Sequence, residues 1–285
     1  MFAIVGAIIV LVCVVGGFLL EGGTLGVLIQ PVELLIIGGA AVGSFCIASP
    51  KSVLVGTVKG ALKVITAKEP TKQDGLDLLT CLFELATITR RGGMVAVEPH
   101  VNKPESSSVF AKYSFVAKNH ELRDFIADNY KVLLAGSLAP HLLDGLMDMD
   151  VETQAHHEKI PSNAVSKVAD SLPGLGIVAA VLGVVLTMGK LSEPPEVLGH
   201  SIGAALLGTF LGVLLCYGFV GPVAANLEQL ADTQASLLAA AKQGMLAVAE
   251  DLAPFMVAES ARRGLPGECR PSMSDMEEAC RRVPK

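Results

Sequence analysis

Four long apolar stretches dominate the chain. The first is Phe2–Leu20, without a charged residue. The second covers residues 34–48 and extends back to Val32 if Glu33 sits at an interface. The third covers 172–189 and the fourth 202–225. Each approaches the roughly 20 residues that a helix needs to cross a bilayer. A signal peptide is the rival reading of the first stretch, but the segment lacks a basic leading region and a convincing cleavage site. Between the second and third stretches the pattern turns amphipathic. Leu78, Leu79, Leu82, Leu85 and Ala86 recur at helical spacing within residues 74–90, and Arg91, Gly92 and Gly93 close that helix. Shorter amphipathic helices are predicted at 110–115, 121–134 and 139–149. A charged run at 150–159 follows, and Pro161, Ser162 and Asn163 predict a turn ahead of the third span. Residues 226–259, rich in Ala and Leu with charges at Glu228, Asp232, Lys242 and Glu250, predict a long helix that extends the fourth span. After Arg263 the Gly, Pro and mixed charge predict partial disorder.

The expected fold class is all-α. It has four transmembrane helices, a large helical cytoplasmic insert between spans 2 and 3, and a helical cytoplasmic C-terminal tail. The expected division is 1–49 for the first two spans, 50–171 for the insert, 172–225 for the last two spans and 226–285 for the tail. Orientation rests on Lys and Arg. Of the 22 basic residues, only Lys190 lies outside 50–171 and the segment after Ala225. The positive-inside rule places both of those regions, and hence both termini, in the cytoplasm of a multi-pass inner-membrane protein. Lys51, Lys59, Lys63 and Lys68 follow the second span closely, where the bias counts most.

Composition sharpens this picture in a few places. The chain is 51% apolar with a mean hydropathy of +0.54, high for a soluble domain. It has no Trp, so interfacial anchoring falls to charge placement and packing. A net charge of -6 and the lack of a basic stripe with interleaved aromatics exclude a nucleic-acid partner. Cys13, Cys46, Cys81, Cys216, Cys269 and Cys280 show no CxxC spacing and read as small buried hydrophobes. No P-loop, GxSxG or HExxH is present, and no enzyme activity, cofactor or metal is expected. His156 and His157 adjoin Glu158, but neighbours on a helix diverge and make a poor ligand pair.

An absence is more telling. The interiors of all four stretches hold no Asp, Glu, Lys, Arg or His. Proton relays use ionisable groups within the membrane. If this chain conducts an ion, the binding group comes from another chain; ordinary packing helices are the alternative reading. Spans 3 and 4 are rich in small residues: Gly174, Gly176, Ala179, Ala180 and Gly183 on one, Gly203, Ala204, Ala205, Gly208 and Gly212 on the other. That spacing predicts packing against protein rather than lipid. Thr187 and Thr209 are rare hydroxyls there, and a Thr on a helix can simply bond its own backbone. Pro173 is expected to open the third span. Pro222 lies within the cytoplasmic end of the fourth, where it frees a carbonyl and invites a kink. Both prolines are expected at one membrane depth, as a hinge.

These features resemble the MotA family of flagellar stator subunits. The segments EGGTLGVLIQPVELLIIGGAAVGSF, DSLPGLGIVAAVLGVV and LLGTFLGVLLCYGFVGPVAANL carry the likeness. It covers nearly the whole chain and weakens between Glu98 and Ala139. The resemblance implies a homo-oligomeric ring, in the family a homopentamer, around a MotB-type single-span, peptidoglycan-binding partner that supplies a membrane aspartate. It implies that Arg90 and Glu98 face the rotor protein FliG. It also implies that Pro173 and Pro222 couple ion flow to torque, and that membrane lipid surrounds the ring. Sodium-type relatives carry a hydroxyl where this chain has Ala180. With Thr209 the remaining pore-side hydroxyl, protons are the expected ion and the proton gradient the energy source. The alternatives are an ExbB/TolQ-like energiser of outer-membrane processes, which has three spans, a non-conducting membrane scaffold, and a permease, for which the spans carry no polar site.

Overall fold

The computed structural model describes residues 2–66, 68–136 and 138–283, and among them no strand occurs. In chain order the helices begin with α1 (Phe2–Leu20), α2 (Leu25–Leu28), α3 (Pro31–Ala48) and α4 (Lys51–Thr66). Next come α5 (Lys72–Gly92), α6 (Glu98–Asn102), α7 (Ser108–Lys112), α8 (Ser114–Lys118) and α9 (His120–Ala135). Then follow α10 (Pro140–Met188) and α11 (Pro195–Leu214). A π-helical stretch, Leu215–Val220, leads into α12 (Gly221–Ala249), and α13 (Pro254–Gly264) and α14 (Met273–Arg282) complete the order. Four stretches are long and apolar enough to cross a membrane: Phe2–Leu20, Leu25–Ala48, Pro140–Met188 and Pro195–Ala249. The expected all-α, four-span class is therefore the observed one.

One compact unit comprises Met1–Ala67 and Glu158–Gln229. Within it, α10 and α11 cross where side chains are missing. A Cβ added to Gly176 would lie 2.7 Å from the Gly208 carbonyl oxygen, and one on Gly212 would lie 2.6 Å from that of Leu172. About two turns beyond, a Cβ on Gly183 would meet that of Ala205 at 2.7 Å. The two backbones touch along this seam. Lipid tails are as apolar as leucine, so dispersion and backbone contact, rather than expulsion from water, hold such helices together. Gly174 and Gly203 share the spacing but face open space. Ile37, Ala41, Leu172, Ala179 and Cys216 bury beside the seam. Ile177, Val181, Val185 and Leu206 point away from it and stay exposed.

The turn expected at Pro161, Ser162 and Asn163 does not form. Pro161 and Pro173 both lie inside α10, and the segment expected as a separate piece at 139–149 is the start of that same helix. An interior proline costs about 3 kcal/mol. Packing offsets that cost: Pro161 fits over Gly60, where an added Cβ would come within 3.3 Å, and Ala164, Val165 and Ser162 bury around it. Ser162 also returns a hydrogen bond to the Lys159 carbonyl at 2.9 Å.

The second unit comprises Lys68–His157 and Leu230–Lys285. α5 is its centre. A capping box opens it, with the Thr71 amide donating to Asp74 Oδ2 at 2.7 Å and Asp74 N donating to Thr71 Oγ1. The expected stripe of Leu78, Leu79, Leu82 and Leu85 is fully buried, at roughly 1.5–3 kcal/mol of hydrophobic stabilisation per side chain. The helix expected across 110–115 splits at Tyr113, whose hydroxyl donates to buried Glu84 at 2.6 Å, with Lys112 paired to the same carboxylate. Burial, and then this hydrogen bond, push the Tyr113 pKa up.

The tail also departs from expectation. The long helix ends at Ala249, and the chain reverses through Asp251 at a φ of 54°. Pro254 then starts α13, which packs back on α5. The residues after Arg263 are ordered as far as Val283. Leu265, Cys269, Met276 and Cys280 are buried, and a Cβ on Gly75 would strike the Cys269 carbonyl oxygen at 2.0 Å. Lys242 on α12 is 8% exposed and lies 2.7 Å from Asp144 and 2.5 Å from Asp148, a turn apart on α10. Burial opposes its charge, but the two aspartates outweigh that and raise its pKa.

Two outcomes follow from this packing. Gly212→Val should disrupt the seam by about 1–3 kcal/mol of overpacking strain, whereas Gly203→Val, which meets nothing within 4 Å, should be tolerated. Thermal melting of the purified protein by circular dichroism reads the difference. In α13, the Glu259 carboxylate binds Arg262 at 2.7 Å and Arg263 at 2.9 Å. The Arg262 hydrogen bond, against a burial penalty and with help from Arg263, lowers its pKa from 4.5 to about 2. A carboxyl whose folded pKa lies below its unfolded value stabilises the fold above the unfolded pKa and loses that contribution as pH falls. Glu259→Gln should therefore cost about 2 kcal/mol near neutrality. The gap from the parent should close as pH drops from 4.5 toward 2.

Candidate functional site

In the first unit the seam collects the expected membrane residues unevenly. The Ala180 backbone nitrogen would lie 2.9 Å from a Cβ on Gly208, and Thr209 is the next residue along. Ala180 and Thr209 are therefore neighbours at one crossing, both partly buried. Thr187 donates to the Gly183 carbonyl at 2.8 Å, so its hydroxyl is satisfied by its own helix. Pro173 follows Leu172, whose carbonyl faces Gly212, and lies in mid-helix rather than at a helix start. Pro222 is exposed. Its neighbours Val220, Val223, Ala224 and Leu227 cluster with Val165 and Val64, whereas Leu172 and Ala169 cluster with Cys216. The prolines are therefore offset by roughly two helical turns, about 11 Å, and not at one depth.

Sequence reasoning missed what precedes Pro222. Across Leu215–Val220 the backbone widens to a π-helix, and the Gly221 N–H donates to the Cys216 carbonyl, five residues back. A proline ring clashes with the carbonyl four residues before it. The wider turn re-spaces the carbonyls just ahead of the ring and lets the helix continue. Such π segments recur at functional sites. The available signal was Gly218 and Gly221 close before a proline in an unbroken apolar run. Also missed was Glu33 on α3, one of whose carboxylate oxygens is buried without a hydrogen-bond partner.

In the second unit Arg90 and Glu98 flank a sharp turn. Arg90 lies in the last turn of α5, where a cation complements the helix dipole. Gly93, at a φ of 73°, breaks the helix, and a 3-10 turn over Met94–Ala96 leads to Glu98 at the start of α6. Both side chains are exposed. Glu98 accepts from Asn102 at 3.3 Å, and Arg90 makes no ion pair among the described residues. Arg90 and Arg91 border a groove of about 580 Å³ whose far side is α14, with Cys280 and Arg281, and Val283 just past its end. Burial pushes the Cys280 thiol up to about 11, so it serves as an apolar wall. The tail's share of this surface went unseen because the segment was expected to be disordered. Its capping box, Ser272 with Asp275, and the apolar pair Met276 and Cys280 were the readable signs.

Among the described residues no three His, Cys, Asp or Glu side chains gather as a metal set. What the chain offers is a tightly packed, charge-free helical seam in one unit and an exposed charged turn in the other.

Comparison with known proteins places this arrangement. A family model described as Motility protein A N-terminal matches residues 4–93, and one described as the MotA/TolQ/ExbB proton channel family matches 117–240. Motility protein A of Escherichia coli (strain K12) is 36% identical over 283 residues, 99% of this chain and 96% of that protein. The fold is similar to that of the Campylobacter jejuni MotAB structure, at a TM-score of 0.78 and 20% identity, covering 95% of this chain and 98% of that one. It is also similar to the flagellar MotAB stator complex of Bacillus subtilis, at a TM-score of 0.74 and 22% identity, covering 94% and 97%. On the identity shared along nearly its whole length, this chain belongs to the motility protein A branch of the MotA/TolQ/ExbB proton channel family.

Proposed function

We propose that this chain is the proton-channel-forming stator subunit of a bacterial flagellar motor, turning ion flow into torque on the rotor. The observation that carries the reading is a membrane region built without a titratable interior. Among the described residues, Phe2–Leu20, residues 34–48, 172–188 and 202–225 hold no Asp, Glu, Lys, Arg or His. A member of a proton channel family with no proton carrier of its own requires one from outside. A MotB-type partner with one membrane aspartate, ringed by copies of this chain, supplies it. The curated relatives that share the full length are motility proteins, and the similar folds come from complexes titled MotAB.

The geometry supports the following mechanism. A proton enters from outside, neutralises the partner's aspartate and changes its fit against α10 and α11. The seam there is too tight to yield, because its glycine backbones are already in contact. Motion is diverted to the softer turns, Pro173 within α10 and the π segment before Pro222. Cytoplasmic Arg90 and Glu98 pass the push to charged residues of FliG. Exposed ion pairs are worth about 0–1 kcal/mol, which suits contacts that form and break in every step. The gradient supplies roughly 2.3 kcal/mol per charge per 100 mV. Ala180 offers no ligand to a dehydrated sodium ion, which favours protons. Both termini face the cytoplasm of the inner membrane, and no nucleotide or cofactor takes part.

Two measurements test this. Liposomes containing this chain alone should take up protons at the empty-liposome rate, with uptake rising only on co-reconstitution with the single-span partner; robust conduction by the chain alone would sink the reading. Pro173→Ala should assemble normally yet abolish swimming of cells in soft agar. Normal swimming by that variant would remove Pro173 from the coupling path.

A further inference from the structure

We propose that a cavity in the first unit, at the foot of α3 and α10, holds the headgroup phosphate of an anionic phospholipid. The cavity measures about 460 Å³ and lies between the end of α3, the start of α4 and residues 160–171 of α10. That volume is within the range of small-molecule sites. Phe45 and Val168 give it apolar walls, and Ser49, Asn163 and Lys167 give it donors. Lys167 makes no ion pair, and the side chains of Ser49 and Asn163 make no hydrogen bond, among the described residues. Ser44 and Ser171 differ, since their hydroxyls already donate to the Ala41 and Val168 carbonyls at 2.9 and 2.7 Å. The unspent groups are thus a cation and two neutral donors, a set that fits an anion's oxygens.

Two observations select a lipid over a soluble phosphate. The cavity lies where the hydrocarbon layer ends, since the apolar run of α3 stops at Ala48 and that of the third span starts at Leu172. α4 then leaves the cavity as an amphipathic helix. Val55, Val58, Leu62 and Ile65 form an exposed apolar stripe on it, beside Lys51, Lys59 and Lys63. On the opposite face Thr57, Gly60 and Val64 are buried. An apolar stripe edged with lysines is the pattern of a helix lying in the membrane interface. Basic pockets between membrane helices on the cytoplasmic side hold acidic headgroups. A soluble phosphate compound would leave the stripe unexplained, whereas a phospholipid explains both features. The inference needs the four spans but neither ion flow nor rotor contact, so its failure would leave the stator reading untouched.

Native mass spectrometry of the intact complex, released from nanodiscs of mixed phosphatidylglycerol and phosphatidylcholine, tests the site. The wild-type complex should retain phosphatidylglycerol selectively, Lys167→Gln should retain about fivefold less, and Lys167→Arg should restore it. Equal retention of both lipids by the wild type, or full retention by Lys167→Gln, would overturn the proposal. An unchanged size for the Lys167→Gln complex separates lost lipid from misfolding.

Discussion

Bare backbone contact between α10 and α11 is the interaction on which the membrane part depends. Nothing in hydrocarbon drives one apolar helix onto another, so the helices need a surface that lipid cannot match. Gly176, Gly208 and Gly212 supply it by letting carbonyls and Cα atoms touch. Larger residues would reopen the gap to lipid. The outward-facing apolar residues stay exposed. The packing of the seam explains why a proton carrier sits badly within this chain. A carboxylate in such a seam would be buried against backbone with no water and no countercharge, at a cost of several kcal/mol.

The second unit follows the ordinary logic of a water-soluble core. α5 buries one leucine stripe under α13 and α14, and charge is either paired or left outside. Glu84, Glu259 and Lys242 show the first outcome, each buried with its partners in place. Arg90, Arg91 and Glu98 show the second. Those exposed charges lie on either side of the turn at Gly93. The firm footing of α5 gives them a fixed position.

The hydrophobic pattern located the four spans, the small-residue seam and the α5 stripe. Each of these is a signal repeated over many residues and is hard to mistake. What it missed depended on single residues whose meaning lay elsewhere in the chain. Pro161 reads as a turn until Gly60 is brought against it. The reversal at Asp251 has no glycine to announce it, and Asp tolerates a positive φ at only modest cost. The tail's charges read as disorder, although its burial against α5 depends on a few well-placed residues, Cys269, Met276 and Cys280. Of the site, Ala180 and Thr209 lie at one helix crossing and Arg90 is exposed at the end of α5. The common depth expected of the prolines is not observed, because antiparallel register cannot be read from one strand of sequence.

That offset matters for how a rigid seam can transmit anything. If both prolines lay at one level, the two helices would bend about a shared plane and the crossing would simply tilt. Placed about two turns apart, with Pro173 beside the seam and the π segment beyond it, they give each helix its own compliant point at a different distance from the crossing. Under the proposed mechanism, a push at the seam would bend each helix at its own level rather than tilt both about a shared plane. The missing N–H of each proline and the widened π turn are thus more than tolerated irregularities. In the proposed mechanism they are the points where α10 and α12 yield, the glycine contacts being the points where they do not.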